Sequence, residues 1–192
     1  MKIKAKIIVL FILFMNVFID TNRGQIMIEK HQAEKIKVAN LDNLYKVSED
    51  IYRSEQPTKQ AMQELEQMGI CTILNLRKLH NDQDEAKATH LQLERVPIVT
   101  SKLTYLDIVT ALQIIKTAKK PLLVHCWHGS DRTGCIIAAY RMVFENWTRE
   151  EAIQEFKNKA FGYHKTWFPS ILNILNNIEI EKLKADVFAT SR

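Results

Sequence analysis

The sequence predicts an α/β domain: a central, mostly parallel sheet of four to five strands flanked by helices, with a phosphate-binding loop between a central strand and a helix. Three observations predict it. Short runs such as ICTILNL, residues 70–76, are apolar on both faces and rich in β-branched residues, as strands buried inside a sheet are. These runs alternate with segments of helical spacing, the order that builds strand-helix-strand units. At residues 122–140, LLVHCWHGSDRTGCIIAAY, an apolar strand passes through one polar loop straight into an apolar helix. Ligands of such sheets bind at handovers of this kind, outside the carboxyl ends of the strands.

The elements follow in order. LYKV and IYRS, on either side of residues 48–50, alternate like two short strands joined by a tight turn. Thr58 opens a helix with Ala61, Leu65 and Met68 on one face, and Gly69 stops it. The strand at 70–76 leads into a polar loop, RKLHNDQDEAK, and LERVPIV at 93–99 is a further strand interrupted by Pro97. Thr104 and Asp107 form a capping-box-like start to the next helix, which Pro121 stops before the strand LLVH. TGCIIAAYRMVF is apolar nearly all round and reads as a central buried helix. Thr148 and Glu151 cap another, and FPSILNILNNIEIEKLK, with Pro169 in its first turn, reads as one last helix.

The N-terminus, MKIKAKIIVLFILFMNVFID, places three lysines before an apolar run at 7–19, long enough for a secretory core and short of a bilayer span. Residues 1–24 therefore read as a signal peptide or N-terminal anchor, and 25–40 as a polar linker. The domain takes 41–182, and 183–192 form a C-terminal tail. The expected location is the periplasm or the medium, or else the inner membrane by that anchor; attachment to a membrane is expected nowhere else. The formal charge of +5 shrinks without residues 1–24, which leave 23 basic against 21 acidic residues. With no basic stripe interleaved with aromatics, nucleic acid is not an expected partner, and a monomer is expected. Three cysteines, with no metal-ligand spacing, exclude a disulfide scaffold; Cys71 and Cys135 read as small core residues.

Cys126 differs from them. The loop from Cys126 to Arg132 can aim successive backbone N–H groups at one point, where the helix dipole also favours negative charge. Trp127, His128, Gly129, Ser130, Asp131 and Arg132 would then surround a phosphate, and the Arg132 fork would grip two of its oxygens. The same positive environment favours the thiolate, the nucleophilic form of cysteine. Gly129 gives the loop a positive φ or a close approach, Thr133 can donate to the thiolate, and His125 can fix the loop through its backbone. No metal or cofactor is required, because Arg132 and the loop amides serve the equatorial oxygens. A sulfur-transfer loop also carries a cysteine, but Arg-Thr-Gly leading into this helix fits it poorly.

HCWHGSDRTG resembles the signature His-Cys-x-x-Gly-x-x-Arg-Ser/Thr-Gly of the cysteine-dependent protein tyrosine and dual-specificity phosphatases. The similarity runs over about 40–182, through NLYKVSEDIYRSEQP, GICTILNLR, AAYRMVFENWTREEAIQEF and FGYH, toward small bacterial members, several of them exported. It implies a phosphoprotein substrate hydrolysed through a phosphocysteine at Cys126. It also implies an aspartate on the loop at 96–107 that protonates the leaving oxygen. None stands at the expected position, near Thr100 or Ser101.

Asp107 is one replacement, though it also suits a helix cap; Asp82 and Asp84, on the polar loop, are others, and a dedicated acid can be lacking altogether. A weak acid favours phosphotyrosine, because phenol leaves more easily than an alkyl alcohol. Asp131 should repel a second phosphate and Trp127 should offer a stacking wall, which prefers a phosphoprotein to an inositol phosphate. Arg53, in YRSEQP, is a candidate partner that holds Asp131 away from the substrate, although a surface salt bridge would serve equally. FGYH at 161–164 is a candidate rim loop, with His164 read as structural. The alternatives are an inositol phosphate or phosphoinositide phosphatase, and a phosphate-binding pseudophosphatase.

Overall fold

The computed structural model describes residues 30–38 and 40–189, and before them only two strands, β1 (Phe18–Ile19) and β2 (Ile26–Met27), paired antiparallel. Apart from β1, the segment read as a signal or anchor lies outside the described residues. No helix among the described residues is long and apolar enough to cross a membrane. The chain divides after His31 into two units, the second running from Gln32 onward.

That unit opens with β3 (Glu34–Lys35), β4 (Tyr45–Lys46) and β5 (Ile51–Ser54), followed by α1 (Lys59–Gln67). Next come β6 (Thr72–Arg77), β7 (Gln92–Ile98), α2 (Tyr105–Thr117) and β8 (Leu122–His125). Four helices end it: α3 (Asp131–Phe144), α4 (Arg149–Phe156), α5 (Pro169–Asn177) and α6 (Ile180–Phe188). The sheet runs β3-β4-β5-β8-β6-β7, antiparallel through β3, β4 and β5 and parallel from β5 onward. Alternation along the strands sends Ile73 and Leu123 into the apolar layer under α1, and Leu74, Leu122 and Val124 into the larger layer under α2 to α6. Helices therefore cover both faces, as the sequence predicts.

Three predictions change. The sheet has six strands rather than four or five, because β3 lies in the segment read as a linker. Both of its residues are exposed, so no hydrophobic pattern marks it; backbone pairing and a bond from Ala33 N to Glu155 Oε1 (2.9 Å) hold it instead. The single last helix is two. Ile178 between them is extended and buried, and its carbonyl accepts from Arg149 Nη2 at 2.6 Å. The supposed tail is structured as far as Phe188: the kink lets α6 bury Leu183 and Val187 against the core.

Candidate active site

β8 lies between β5 and β6 near the centre of the sheet, and its carboxyl end delivers Cys126, 2 % exposed, to the loop that precedes α3. Twelve of the fourteen residues of α3 are buried, which fixes the helix whose N-terminus closes the loop. Three successive loop carbonyls are held from outside. Trp127 O accepts from Gln56 N (3.1 Å), His128 O from Asn43 Nδ2 (2.7 Å) and Gly129 O from Arg53 Nη2 (2.7 Å). Conversely, no N–H from Trp127 to Arg132 has a hydrogen-bond partner among the described residues. Amides left unmade around one turn form an anion cradle, reinforced by the N-terminal end of α3. Gly129 has φ +71°, and a Cβ there would stand 2.5 Å from the Ser54 carbonyl carbon, so the turn needs glycine on two counts.

His125 anchors the base of the loop. Its ring is wholly buried, with Nδ1 3.1 Å from Cys126 O and Nε2 2.9 Å from Asp82 Oδ2. Asp82 also accepts from Gln56 Nε2 at 2.8 Å, and Gln56 in turn accepts from Arg77 Nη1. Burial alone would raise the Asp82 carboxyl, but the bond and charge of His125 and the bond from Gln56 outweigh it and hold it below the ordinary value.

Arg132 donates through Nη1 to Leu76 O (3.5 Å) and Ile98 O (3.3 Å), at the ends of β6 and β7; its Nε is buried with no partner among the described residues. The guanidinium is thus tethered at one corner and can still offer donors to an anion. Thr133 Oγ1 is likewise buried with no such partner, so the predicted bond to Cys126 is not made here and its donor remains available. Arg77, absent from the predicted site, lies with its guanidinium 4.1 Å above the Trp127 ring. Burial, and then the neighbouring Arg132, pull it below its ordinary value, which places a second cation beside the first.

Asp131 and Arg53 require a correction. The Asp131 carboxylate accepts from His164 N and Nδ1, both at 2.9 Å, so it ties the rim loop to α3 and does not confront a substrate. Arg53 is not its partner. That side chain is 1 % exposed, reaches Gly129 O, and lies 4.1 Å from the centre of the Phe161 ring. His164 keeps its structural role, helped by Gly162, which turns at φ +71° against Ser130. Ser130 Oγ itself donates within the loop, to His128 O at 3.3 Å. From the loop outward a chain of rings follows: Trp127 and His128 (6.3 Å), His128 and His164 (5.5 Å), His164 and Trp167 (5.7 Å), with both indoles exposed.

Two of the three candidate acids are engaged in structural bonds. Asp107 accepts from Thr104 N and Oγ1, both at 2.8 Å, in the capping box of α2. Asp84 is exposed, and Asp82 is committed to His125. Cys135 is buried, whereas Cys71 is only partly so, with Sγ 3.5 Å from Gly69 O, short of the core position expected of it. His80, Asp82 and Glu85 bring three ligand-type atoms within 4.8 Å of one another, but Asp82 is already engaged.

The fold and the cradle together define a class, the phosphatases built around a cysteine loop. The profile of the dual specificity phosphatase catalytic domain matches residues 51–173, and the chain belongs to that family. The dual specificity protein phosphatase TpbA of Pseudomonas aeruginosa is 29 % identical over 124 residues, 62 % of this chain and 56 % of the relative. The inositol diphosphatase SIW14 of Saccharomyces cerevisiae is 27 % identical over 152 residues, 74 % of this chain and 54 % of the relative. The match thus spans a little over half the length of either curated relative. In fold, the crystal structure of P. aeruginosa TpbA superposes with a TM-score of 0.74 at 22 % identity, over 82 % of this chain and 97 % of that one. The core catalytic domain of S. cerevisiae SIW14, in complex with citrate, gives 0.66 at 24 % identity, over 77 % and 92 %.

Proposed function

We propose that the chain is a protein tyrosine phosphatase working through a phosphocysteine at Cys126, carried out of the cytoplasm by its N-terminal segment. One observation carries the reading: a buried cysteine opens a loop in which three successive carbonyls, those of Trp127, His128 and Gly129, are held from outside while the loop amides stay unpaired among the described residues. The Cys126 thiolate attacks phosphorus as the bond to the tyrosyl oxygen breaks, while the loop amides and Arg132 take the charge on the equatorial oxygens. Water then cleaves the sulfur–phosphorus bond, releasing phosphate and returning the thiolate, and Thr133 Oγ1, whose donor is unengaged among the described residues, is the candidate to donate to the departing sulfur. With Asp107 spent as a cap, a phenol leaving group is preferred to an alkyl one, so phosphotyrosine should turn over faster than phosphoserine or phosphothreonine. A crystal structure of a Cys-to-Ser variant of P. aeruginosa TpbA is in complex with pTyr, which supports phosphotyrosine as a ligand to test here. Cys126→Ser should abolish hydrolysis of an aryl phosphate while phosphate still binds; retained wild-type turnover overturns the mechanism. Fractionation of cells making the full chain tests the export reading.

A second reading, an inositol phosphate phosphatase, draws support from the likeness to SIW14 and from two local facts. Asp131 is occupied by His164 and does not guard the mouth, and Arg77 adds a cation there. Parallel assays with a phosphotyrosine peptide and an inositol pyrophosphate decide between the two.

A further inference from the structure

Arg53 ends up wedged between the loop and the first turn of α3. Its Nη2 donates to Gly129 O at 2.7 Å and would stand 3.5 Å from a Cβ placed on Gly134. Among the described residues the other buried charged side chains pair with an opposite charge or an imidazole: Arg141 with Glu155 (2.7 Å), Asp131 with His164 (2.9 Å), Asp82 with His125 (2.9 Å). Arg53 has a carbonyl and the face of Phe161, and its Nε has no hydrogen-bond partner among the described residues. Glu155, from α4, is the acid that most favours its charge, but both carboxylate oxygens are taken, by Arg141 and by Ala33 N. A buried cation without a counter-ion is an expensive arrangement unless something supplies one.

We propose that Arg53 is a positioning residue whose counter-ion is the anion in the cradle. It turns the Gly129 carbonyl outward, and its charge favours the Cys126 thiolate and the phosphoryl group that replaces it. The inference deepens the phosphatase reading and rests on it. Burial pulls Arg53 down to about 10, while Glu155, then Cys126, then Tyr45 on β4 pull the other way and Arg141 on α3 adds to the fall. Arg77, from β6, also feels the Cys126 charge and lies beside Arg132, so removing Arg53 weakens the positive field without abolishing it.

The test is alkylation of Cys126 by iodoacetamide across pH, with the stabilisation of the protein by inorganic phosphate measured alongside. In Arg53→Met the alkylation midpoint should move to higher pH, and the rate below it should fall roughly tenfold, the change that one unit makes. Phosphate should then stabilise the variant far less than wild type, while Arg53→Lys, which keeps the charge, restores the midpoint. An unshifted midpoint with undiminished phosphate binding overturns the proposal. Should Arg53→Met fail to fold, Arg53→Gln decides, since glutamine keeps a donor for Gly129 O and loses only the charge; there too an unshifted midpoint sinks it. Wild-type turnover of an aryl phosphate is a separate control: its absence refutes the phosphatase reading, whereas the midpoint bears on Arg53.

Discussion

His125 Nε2 stands 2.9 Å from Asp82 Oδ2, with neither side chain more than 2 % exposed, and this bond clamps the end of β8 to the loop after β6. Asp82 was a candidate acid by sequence, but its position makes it an anchor. Because its carboxyl is held below the ordinary value in the folded protein, it adds stability that is present above the unfolded value of about 3.9. That stability is lost as pH falls through the lower folded value. Asp82→Asn should therefore lower stability at pH 7 by about 1–3 kcal/mol and flatten the acid limb below pH 4. Urea unfolding at a series of pH values checks both.

Asp107 should behave as a cap. Asp107→Ala removes the acceptor for Thr104 N and Oγ1 and should cost about 1 kcal/mol. Turnover of an aryl phosphate should change less than twofold, where loss of a general acid would cost roughly 10²–10⁴-fold. Thermal melts and kcat on one preparation separate the two roles.

Gly129→Ala tests the cradle directly. The added methyl would meet backbone atoms of Ser54 and Glu55 at 2.5–2.6 Å and would sit at a φ of +71°. Relief requires the loop to swing away from β5, which breaks the bond to Arg53 and disperses the amides. Activity should fall at least 100-fold, a loss of about 3 kcal/mol of transition-state stabilisation, with less than that lost from folding stability. An active variant would show that the amides need not converge.

Much of this was legible because local chemistry and tertiary role agree. The capping boxes at Thr104 and Thr148, the strand ending in His125 and the helix beginning after Ser130 are all written in short-range patterns. What escaped depends on long-range contacts. Asn43 and Gln56 hold loop carbonyls from 85 and 71 positions away in sequence, and nothing about an asparagine or a glutamine announces that. Asp131 looked like a guard against second phosphates because its neighbours in sequence face the ligand; His164, 33 residues on, claims it instead. Arg53 reads from the sequence as a partner of Asp131 or, equally, as a surface salt bridge, since burial of an arginine leaves no periodic trace. The edge strand β3 escaped for the opposite reason, being exposed throughout.

The chain of rings leading from the loop carries the last prediction. Trp167 is 75 % exposed and stacks on His164 at an interplanar angle of 19°, and Trp127, 54 % exposed, lies at the other end beside the cradle. A phosphate in the cradle would leave the flanking residues of a peptide within reach of these surfaces, whereas a small aryl phosphate would extend no further than Trp127. Covering part of an indole contributes about 1–1.5 kcal/mol, roughly a tenfold change in binding. Trp167→Ala should therefore lower kcat/KM about tenfold for phosphotyrosine peptides with apolar neighbours, mostly through KM, and leave hydrolysis of a simple aryl phosphate within twofold. Equal losses on both substrates would mean that Trp167 acts through the His164–Asp131 bond to the loop, and Asp131→Asn would then reproduce them.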